Sequence, residues 1–570
     1  MTNINRWLPL IYLLTFLLIR NESISGQDRL SGKKFATRSE VMTVNGMAAT
    51  NHPIATQVAL EILKKGGTAV DAAIAANAFL GFADPAMNGI GGDLFAIVWN
   101  ADEKKLYGLN GSGKSPQSLS KNYFSSRNMR TISPAGPLPV TVPGCVDAWF
   151  ELHRKFGKLP VKQLLQPTID YARQGIPTAP EVADMMAYLE RNLLPSYSAD
   201  GDISFEDFPE FCKVYRKDGH FPIKGDIFTN PDLANTLQKI ATDGRDAFYK
   251  GHIATEIAAY MKDHGGFLSN KDFAAHSSDW IDPVSTNYRG FDIWELPPNG
   301  QGISVLQMLN ILEKYNMTKY GFGSVEHIHY FAEAKKLTYA DRAKYYGDPN
   351  VNNLPVETLI SKDYAERRRQ LISDNHKGNY GPGLEDDNHT IYLTVADKDG
   401  NMVSLIQSNS WLFGSLVVVP GLGFALQNRG TGFRLEPNHV NSYAPGKRPF
   451  HTIIPAFITH NGEPFVSFGL TGGGMQPQGH VQIVMNLIDF GMNLQEAGDA
   501  PRLRHEYIDG AEVISAESGL DYEVIRELMK MGHTVAFGFE RFGGYQAIML
   551  KNGVYYGASE SRKDGHAAGY

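Results

Sequence analysis

The sequence predicts a layered α+β body, on three observations. Helical patterning dominates the first half, paired strand patterns around Asp-Gly and Asn-Gly turns dominate residues 390 to 470, and a helix followed by strands closes the chain. In the first half, "NHPIATQVALEILKKGG" has Pro53 at a helix start and Gly66 after the last turn, with Ile54, Val58 and Leu60 to Leu63 supplying an apolar stripe. "TAVDAAIAANAFLGF" follows, with Thr68 as its cap, Asp71 three residues on, and alanines that permit close packing. "GIGGDLFAIVWNADEKKLYGLNG" reads as two strands about a polar turn, "PGCVDAWFELHRKFGK" as a helix, and residues 160 to 345 as mostly helical with loops such as "ELPPNGQG". "IYLTVAD" and "MVSLIQS" alternate around "KDGN" as a hairpin, and "IIPAFITHNGEPFVSFGL" gives two more strands about Asn461-Gly462. "VQIVMNLIDFGMNLQEAGDAPR" reads as helix and "YQAIMLKNGVYYGASE" as a closing strand pair. No repeat, low-complexity segment or linker marks a domain boundary.

Composition narrows the function classes. With 42% hydrophobic and 20% charged residues the chain buries a large core. A net charge of −7 and a pI near 6.2 give no basic footprint, so nucleic acid is not an expected partner. At the N-terminus, Arg6 precedes an apolar run from Trp7 to Ile19. As a helix that run spans about 20 Å, short of the ~30 Å hydrocarbon core. Residues 1–25 therefore read as a signal peptide, with an uncleaved membrane anchor as the alternative, and a secreted or periplasmic location is expected. Cys145 and Cys212 are the only cysteines, enough for one bridge but neither a disulfide framework nor a cysteine-rich zinc site.

Several short motifs resolve into ordinary structure. "GLNGSGKS", residues 108–115, matches the phosphate-loop pattern, which makes a nucleotide binder a hypothesis to test. Pro116, however, pushes Ser115 away from helical angles, and "QSLSKNYF" has no apolar helical stripe to continue the motif. A loop in which Lys114 faces an anionic group is the reading that survives. "DKDGN", residues 397–401, is a hairpin turn rather than a calcium loop, and His327 and His329 point to different faces of one helix. Neither a metal nor a cofactor is expected. "GLTGGGMQPQGH", between a strand and a helix expected near Val481, has glycines whose amides can converge on a small anion, either a phosphate or the oxyanion of acyl transfer.

Thr390, at the start of a strand in "DDNHTIYLTVAD", has three readings: a β-branched strand residue, part of the glycosylation acceptor Asn388-His-Thr390, or a nucleophile. A threonine acts as nucleophile without a Ser-His-Asp arrangement if the chain is cut before it, because the freed α-amino group, with a pKa of about 7.7–8.0, is its own base. The His389–Thr390 bond is then the scissile one.

From about residue 43 to its end, the chain resembles the γ-glutamyltransferase (glutathione hydrolase) family. The matching segments are "GMAATNHPIATQVALEILKKGGTAVDAAIAANAFLGFADPAMNGIGGDLF", "VPGCVDAW", "HYFAEAKKLTYADRAKYYGDP", "TIYLTVADKDGNMVSL", "PGKRPFHTIIPA" and "DFGMNLQEAGDAPR". The resemblance implies an N-terminal-nucleophile hydrolase fold, a four-layer αββα sandwich made as a precursor. That precursor divides into a large subunit, 26–389, and a small catalytic subunit, 390–570, which form one intertwined unit and stay associated. By position Thr390 falls on the nucleophile, Ser408 on the hydroxyl residue beside it, and Gly472 and Gly473 on the oxyanion-hole pair. The substrate-binding positions depart from the family pattern. Ser112 replaces an arginine, with Lys114 nearby; Ser410 replaces an asparagine, with Asn409 adjacent; Arg429 and Gly432 replace the groups that receive the substrate ammonium; and His451 and Thr452 replace a serine pair. The segment from Phe433 to Gly446 is short for a lid, so hydrolysis is expected to outrun transfer. Exchanging carboxylate for guanidinium disfavours an ammonium and favours a second anion. The pattern is similar to a branch with cephalosporin-acylase-like and oxamate-amidohydrolase-like members. The expected function is hydrolysis, with transfer as a second outcome, of γ-glutamyl groups of glutathione-like amides. A short anionic acyl amide, oxamate-like or glutaryl-like, is the alternative, and an inactive exported binding protein of the same fold is the reading from another class.

Overall fold

The computed structural model describes residue 33 and residues 35–198, 203–380, 389–508, 510–538 and 542–570. The expected signal peptide, 1–25, and the acidic segment through Asn388 lie outside the described residues. Among the described residues no helix is long and apolar enough to cross a membrane.

Two seven-stranded antiparallel sheets form the centre. The first runs, edge to edge, His566–Gly569, Met47–Thr50, His389–Ala396, Met402–Ser410, Asp93–Asn100, Lys105–Gly111, Asp279–Ile281. The second runs Val41–Thr43, Val554–Ser559, Tyr545–Lys551, Glu463–Leu470, Ala456–His460, Phe291–Glu295, Val284–Tyr288. Strand alternation sorts side chains between layers. Leu94, Ala96, Val98, Ile391, Leu393 and Val395 pack under helices that include Ala69–Ala83 and Cys145–Phe156. Phe95, Ile97, Trp99, Tyr392 and Ala396 face the opposite way, meeting Phe457 and Ile548 between the sheets. The outer face of the second sheet, with Ile293, Ile458 and Phe468, is covered by Ile303–Leu312, Val325–Tyr345 and Met475–Ile488. The molecule is the four-layer αββα sandwich the sequence led us to expect.

Local chemistry explains the element boundaries. Pro53–Lys64 starts at a His52 N-cap, and Gly66 takes φ +87° beyond its end. Thr68 and Asp71 form a reciprocal capping box on Ala69–Ala83. Asp397 closes the central hairpin by accepting hydrogen bonds from the Asp399 and Asn401 amides. Two expectations need correction. The span 160–345 is mostly helical, but besides the two-residue pairing of Ile176–Pro177 with Ile227–Phe228 it holds the strands Asp279–Ile281, Val284–Tyr288 and Phe291–Glu295. Their short alternations turn at Arg289-Gly290, where both residues hold positive φ without an Asn-Gly or Asp-Gly signal. The helix expected near Val481 begins at Met475, because Gly479 packs against Leu470 and lets the helix run close to the sheet. Cys145 and Cys212 are both free thiols.

Beside the site, Arg502, Glu560, Arg562 and Glu517 form a buried ion network, with Arg502 Nη2 at 2.7 Å from Glu560. Burial alone raises the Glu560 carboxyl, but Arg502 and Arg562 outweigh it and hold the group at about 2. Relative to an unfolded value near 4.3, the depressed pKa contributes roughly 3 kcal/mol that is fully present above about pH 5 and is lost as pH falls toward 2. Urea unfolding is expected to show the midpoint dropping between pH 5 and pH 3, and Glu560→Gln should be less stable at pH 6 with a flatter pH dependence.

Candidate active site

Thr390 is the second residue of His389–Ala396, a strand that sits inside the first sheet. Pairing with Met402–Ser410 shifts register between His389 and Ile391, which leaves Thr390 at a bulge. Thr390 is 1% exposed. Gln476, in the first turn of Met475–Ile488, accepts the Ile454 amide on Oε1 at 3.0 Å, which turns its Nε2 toward Thr390 Oγ1 at 3.4 Å. Gln476 can therefore only donate to the hydroxyl.

Ser408 lies on the neighbouring strand with its hydroxyl on the bond before Thr390. Its Oγ is 2.5 Å from the His389 carbonyl oxygen, 2.8 Å from the Ser410 amide nitrogen and 3.1 Å from Arg429 Nη2. A hydroxyl has two lone pairs and one proton. Two N–H donors occupy the lone pairs, so the proton goes to the His389 carbonyl. Ser410 carries φ +82°, which turns its amide back onto Ser408. Gly472 and Gly473, with φ +111° and +53°, form the bend into Met475–Ile488. Their carbonyls are taken by the Met475 amide and by Gln301 Nε2. A side chain at Gly472 would meet Gly543 Cα at 3.3 Å, so glycine is required there by conformation and by space.

A cavity of about 480 Å³ opens over Thr390 and Gly472. Its apolar side includes Met185, Tyr188, Leu193, Trp411 and Phe542. Much of this wall comes from helix Pro180–Tyr188 and the π and 3₁₀ turns that follow it, Leu189–Leu193 and Leu194–Tyr197. No residue of the 433–446 segment lines it. Arg504, Arg562 and Lys563 face the same space, with carboxylates as ion-pair partners in Glu506, Glu517 and Glu181, while Asp184 adds a further carboxylate to the wall.

The sequence-expected residues divide into groups. Thr390, His389 and Gly472 line the cavity, with Ser408 and Gly473 directly behind them. Arg429, His451 and Thr452 meet in a buried cluster on the inner side of Ser408. Arg429 Nη1 donates to Thr452 Oγ1 at 2.9 Å, and His451 Nε2 donates to Asp93 at 3.1 Å. Burial, with Arg429 adding repulsion, lowers His451 to about 4, so its ring is neutral. Asn409 turns its amide against Gly89 and Gly92, and half-buried Lys114 lines neither cavity at Thr390. After Ser115 the chain forms no helix until Lys121–Ser125, so the phosphate-loop resemblance has no cradle. Lys563, Arg504 and the 180–196 wall were not singled out in the sequence. No periodicity in the sequence links them to residue 390.

One group of potential metal ligands occurs among the described residues, His329, Glu333 and His533. The two rings bond each other at 2.8 Å and Glu333 pairs with Lys336 at 2.8 Å, so the cluster is satisfied internally.

An αββα body with a threonine heading a central strand and a glycine bend at its side defines an N-terminal-nucleophile hydrolase. The chain matches the gamma-glutamyltranspeptidase family over residues 55–570 and belongs to it. It is 35% identical to the glutathione hydrolase-like YwrD proenzyme of Bacillus subtilis, over 93% of this chain and 99% of that protein. It is 34% identical to the acylase ACY 1 proenzyme of a Pseudomonas species, over 91% and 92%. The crystal structure of cephalosporin acylase from Bacillus halodurans superposes with a TM-score of 0.87 at 39% identity, over 95% of this chain and 98% of that one. The chain is thus a hydrolase of this family, made as a proenzyme.

Proposed function

We propose that the precursor cuts its own His389–Thr390 bond and that the freed Thr390 then hydrolyses amides of a short anionic acyl group through an ester on its hydroxyl. The observation that carries the reading is the Ser408 proton on the His389 carbonyl at 2.5 Å, with Thr390 next in the chain. Attack by Thr390 Oγ1 on that carbon develops charge on an oxygen that already has a donor, and Arg429 behind Ser408 strengthens the donor. The product is an N-terminal threonine whose amine serves as the base in each later turnover. The Gly472–Gly473 bend beside Thr390 supplies amides for the oxyanion of the amide substrate.

Arg429 supports the choice of acyl group. A guanidinium buried behind the site disfavours a substrate ammonium and favours an anion, by on the order of 1 kcal/mol at an effective dielectric near 20. Denaturing electrophoresis of the purified protein should show two fragments, the smaller beginning at Thr390 by N-terminal sequencing, which co-elute on native gel filtration. Glutaryl anilide should be cleaved at least tenfold faster than γ-glutamyl anilide. A γ-glutamyl donor is the second reading, favoured by Asp184 on the cavity wall, a carboxylate able to receive an ammonium. The reverse preference, abolished in Asp184→Asn, would establish it.

A further inference from the structure

Self-cleavage needs a base, and the two side chains that bond at Thr390 and at the His389 carbonyl, Gln476 and Ser408, do not provide one. Until the bond breaks, the Thr390 nitrogen is an amide and takes no proton. Gln476 only donates, and the Ser408 proton is committed to the carbonyl. The geometry around Thr390 supplies another group. A second cavity of about 20 Å³, room for one water, is lined by Thr390, Thr471, His52, Asp84 and Lys563 among others. Asp84 is the C-cap of Ala69–Ala83 and 8% exposed, and its Oδ1 has no hydrogen-bond partner among the described residues. A carboxylate at a helix C-terminus, buried and short of partners, is poorly placed for stability. It is well placed to take a proton.

We propose that Asp84 is the proton acceptor for self-cleavage, acting on the Thr390 hydroxyl through one water held in this cavity. The inference rests on the reading of Thr390 as the nucleophile. The Oγ1 proton passes to the water as the water's proton passes to Asp84, and Oγ1 bonds to the His389 carbon. As the carbon–nitrogen bond breaks, the proton returns by the same route to the Thr390 nitrogen, leaving an amine and an ester. A second water hydrolyses the ester to the His389 carboxylic acid and the free Thr390 hydroxyl, and Asp84 ends as it began.

The other titratable groups facing Asp84 do not fill this role. His52 Nδ1 accepts the Ile54 amide, so its remaining nitrogen carries the proton and only donates. Lys563 pairs with Glu181, and Asp564 accepts the Glu181 amide at 2.8 Å. Burial raises Asp84 to about 7, with Lys563 and the Met87 amide opposing and Asp564 adding to the rise. A base in this range works near neutral pH. Self-cleavage should therefore accelerate as pH rises through about 7 and then level off.

The test is the cleavage rate of the full chain made by cell-free synthesis, followed on denaturing gels from pH 5.5 to 9. Asp84→Asn is expected to slow cleavage at least 100-fold at pH 7.5, with no rescue by hydroxylamine, which cleaves an ester but does not drive its formation. Asp84→Glu should retain cleavage with a displaced pH midpoint. Lys563→Met, which removes the nearby positive charge, should move the midpoint up by about 1 unit. Wild-type cleavage by Asp84→Asn, or a midpoint unmoved in both Asp84→Glu and Lys563→Met, overturns the proposal, the latter because a purely structural Asp84 has no influence on the profile. Hydroxylamine rescue of Asp84→Asn also overturns it, by placing the block at ester hydrolysis. Cleavage of Thr390→Ala at the same bond, run in parallel, refutes the nucleophile assignment itself and so separates the two failures.

Discussion

Thr390→Ala is expected to leave the precursor as a single chain and to reduce amide hydrolysis to background, a loss of about 10⁴-fold or more. In the proposed mechanism two processes fail together, because one oxygen serves both. Without Oγ1 no ester forms at the His389 carbon, so no α-amine is released to act as base, and no acyl-enzyme forms with any substrate. The fold survives the change. Thr390 occupies a bulge at the end of its strand, while Ile391, Leu393 and Val395 anchor the remainder under the helices. Alanine removes a methyl and a hydroxyl that accepts a long, 3.4 Å hydrogen bond from Gln476. Thermal unfolding should therefore stay close to the wild-type precursor. Thr390→Ser keeps the hydroxyl and should still cleave, more slowly, because the lost methyl no longer restricts χ1. A cut at 389 in Thr390→Ala, seen by N-terminal sequencing, would mean that another protease does the processing.

Legibility of the fold followed the range of the interactions that build it. The Thr68–Asp71 capping box, the Pro53 start and the Asp-Gly and Asn-Gly hairpins are fixed by residues a few positions apart, and each forms as expected. The strands at 279–295 are short elements at or next to an edge of each sheet, and their backbone pairing with distant segments outweighs the helical character of their surroundings. The early start of Met475–Ile488 likewise depends on Gly479 meeting Leu470 across the layer. At the site, the positions of Thr390, Ser408, Gly472 and Gly473 came from a family resemblance; Thr390 and Gly472 line one cavity, and Ser408 and Gly473 lie behind it. Arg429 was legible as a cation where an ammonium site belongs. That its two nitrogens would be bonded to Ser408 and Thr452 was not legible, because those contacts need the strand register. The wall of residues 180–196 and the Lys563 side chain reach Thr390 from opposite ends of the chain, with no local pattern that announces them.

The second large effect concerns Ser408. Its hydroxyl donates to the His389 carbonyl oxygen at 2.5 Å. Ser408→Ala should slow self-cleavage by about 10²–10³-fold, the usual consequence of removing one donor from a developing oxyanion. Arg429→Met tests the same donor from behind. The Ser410 amide still holds one lone pair of Ser408 at 2.8 Å, so the proton keeps its direction, but the charge that polarises it is gone. Cleavage should slow by a smaller factor, roughly 10-fold, and the double variant should lose less than the two single effects combined, since much of the Arg429 effect on the carbonyl passes through Ser408. Additive losses in the double variant would instead show that Arg429 has an independent role, and the mature enzyme's preference between glutaryl and γ-glutamyl anilides would reveal whether that role is in choosing the acyl group. Arg429→Lys does not restore the wild-type rate in this scheme, because one ammonium cannot reproduce the planar fork that reaches Ser408 and Thr452 together.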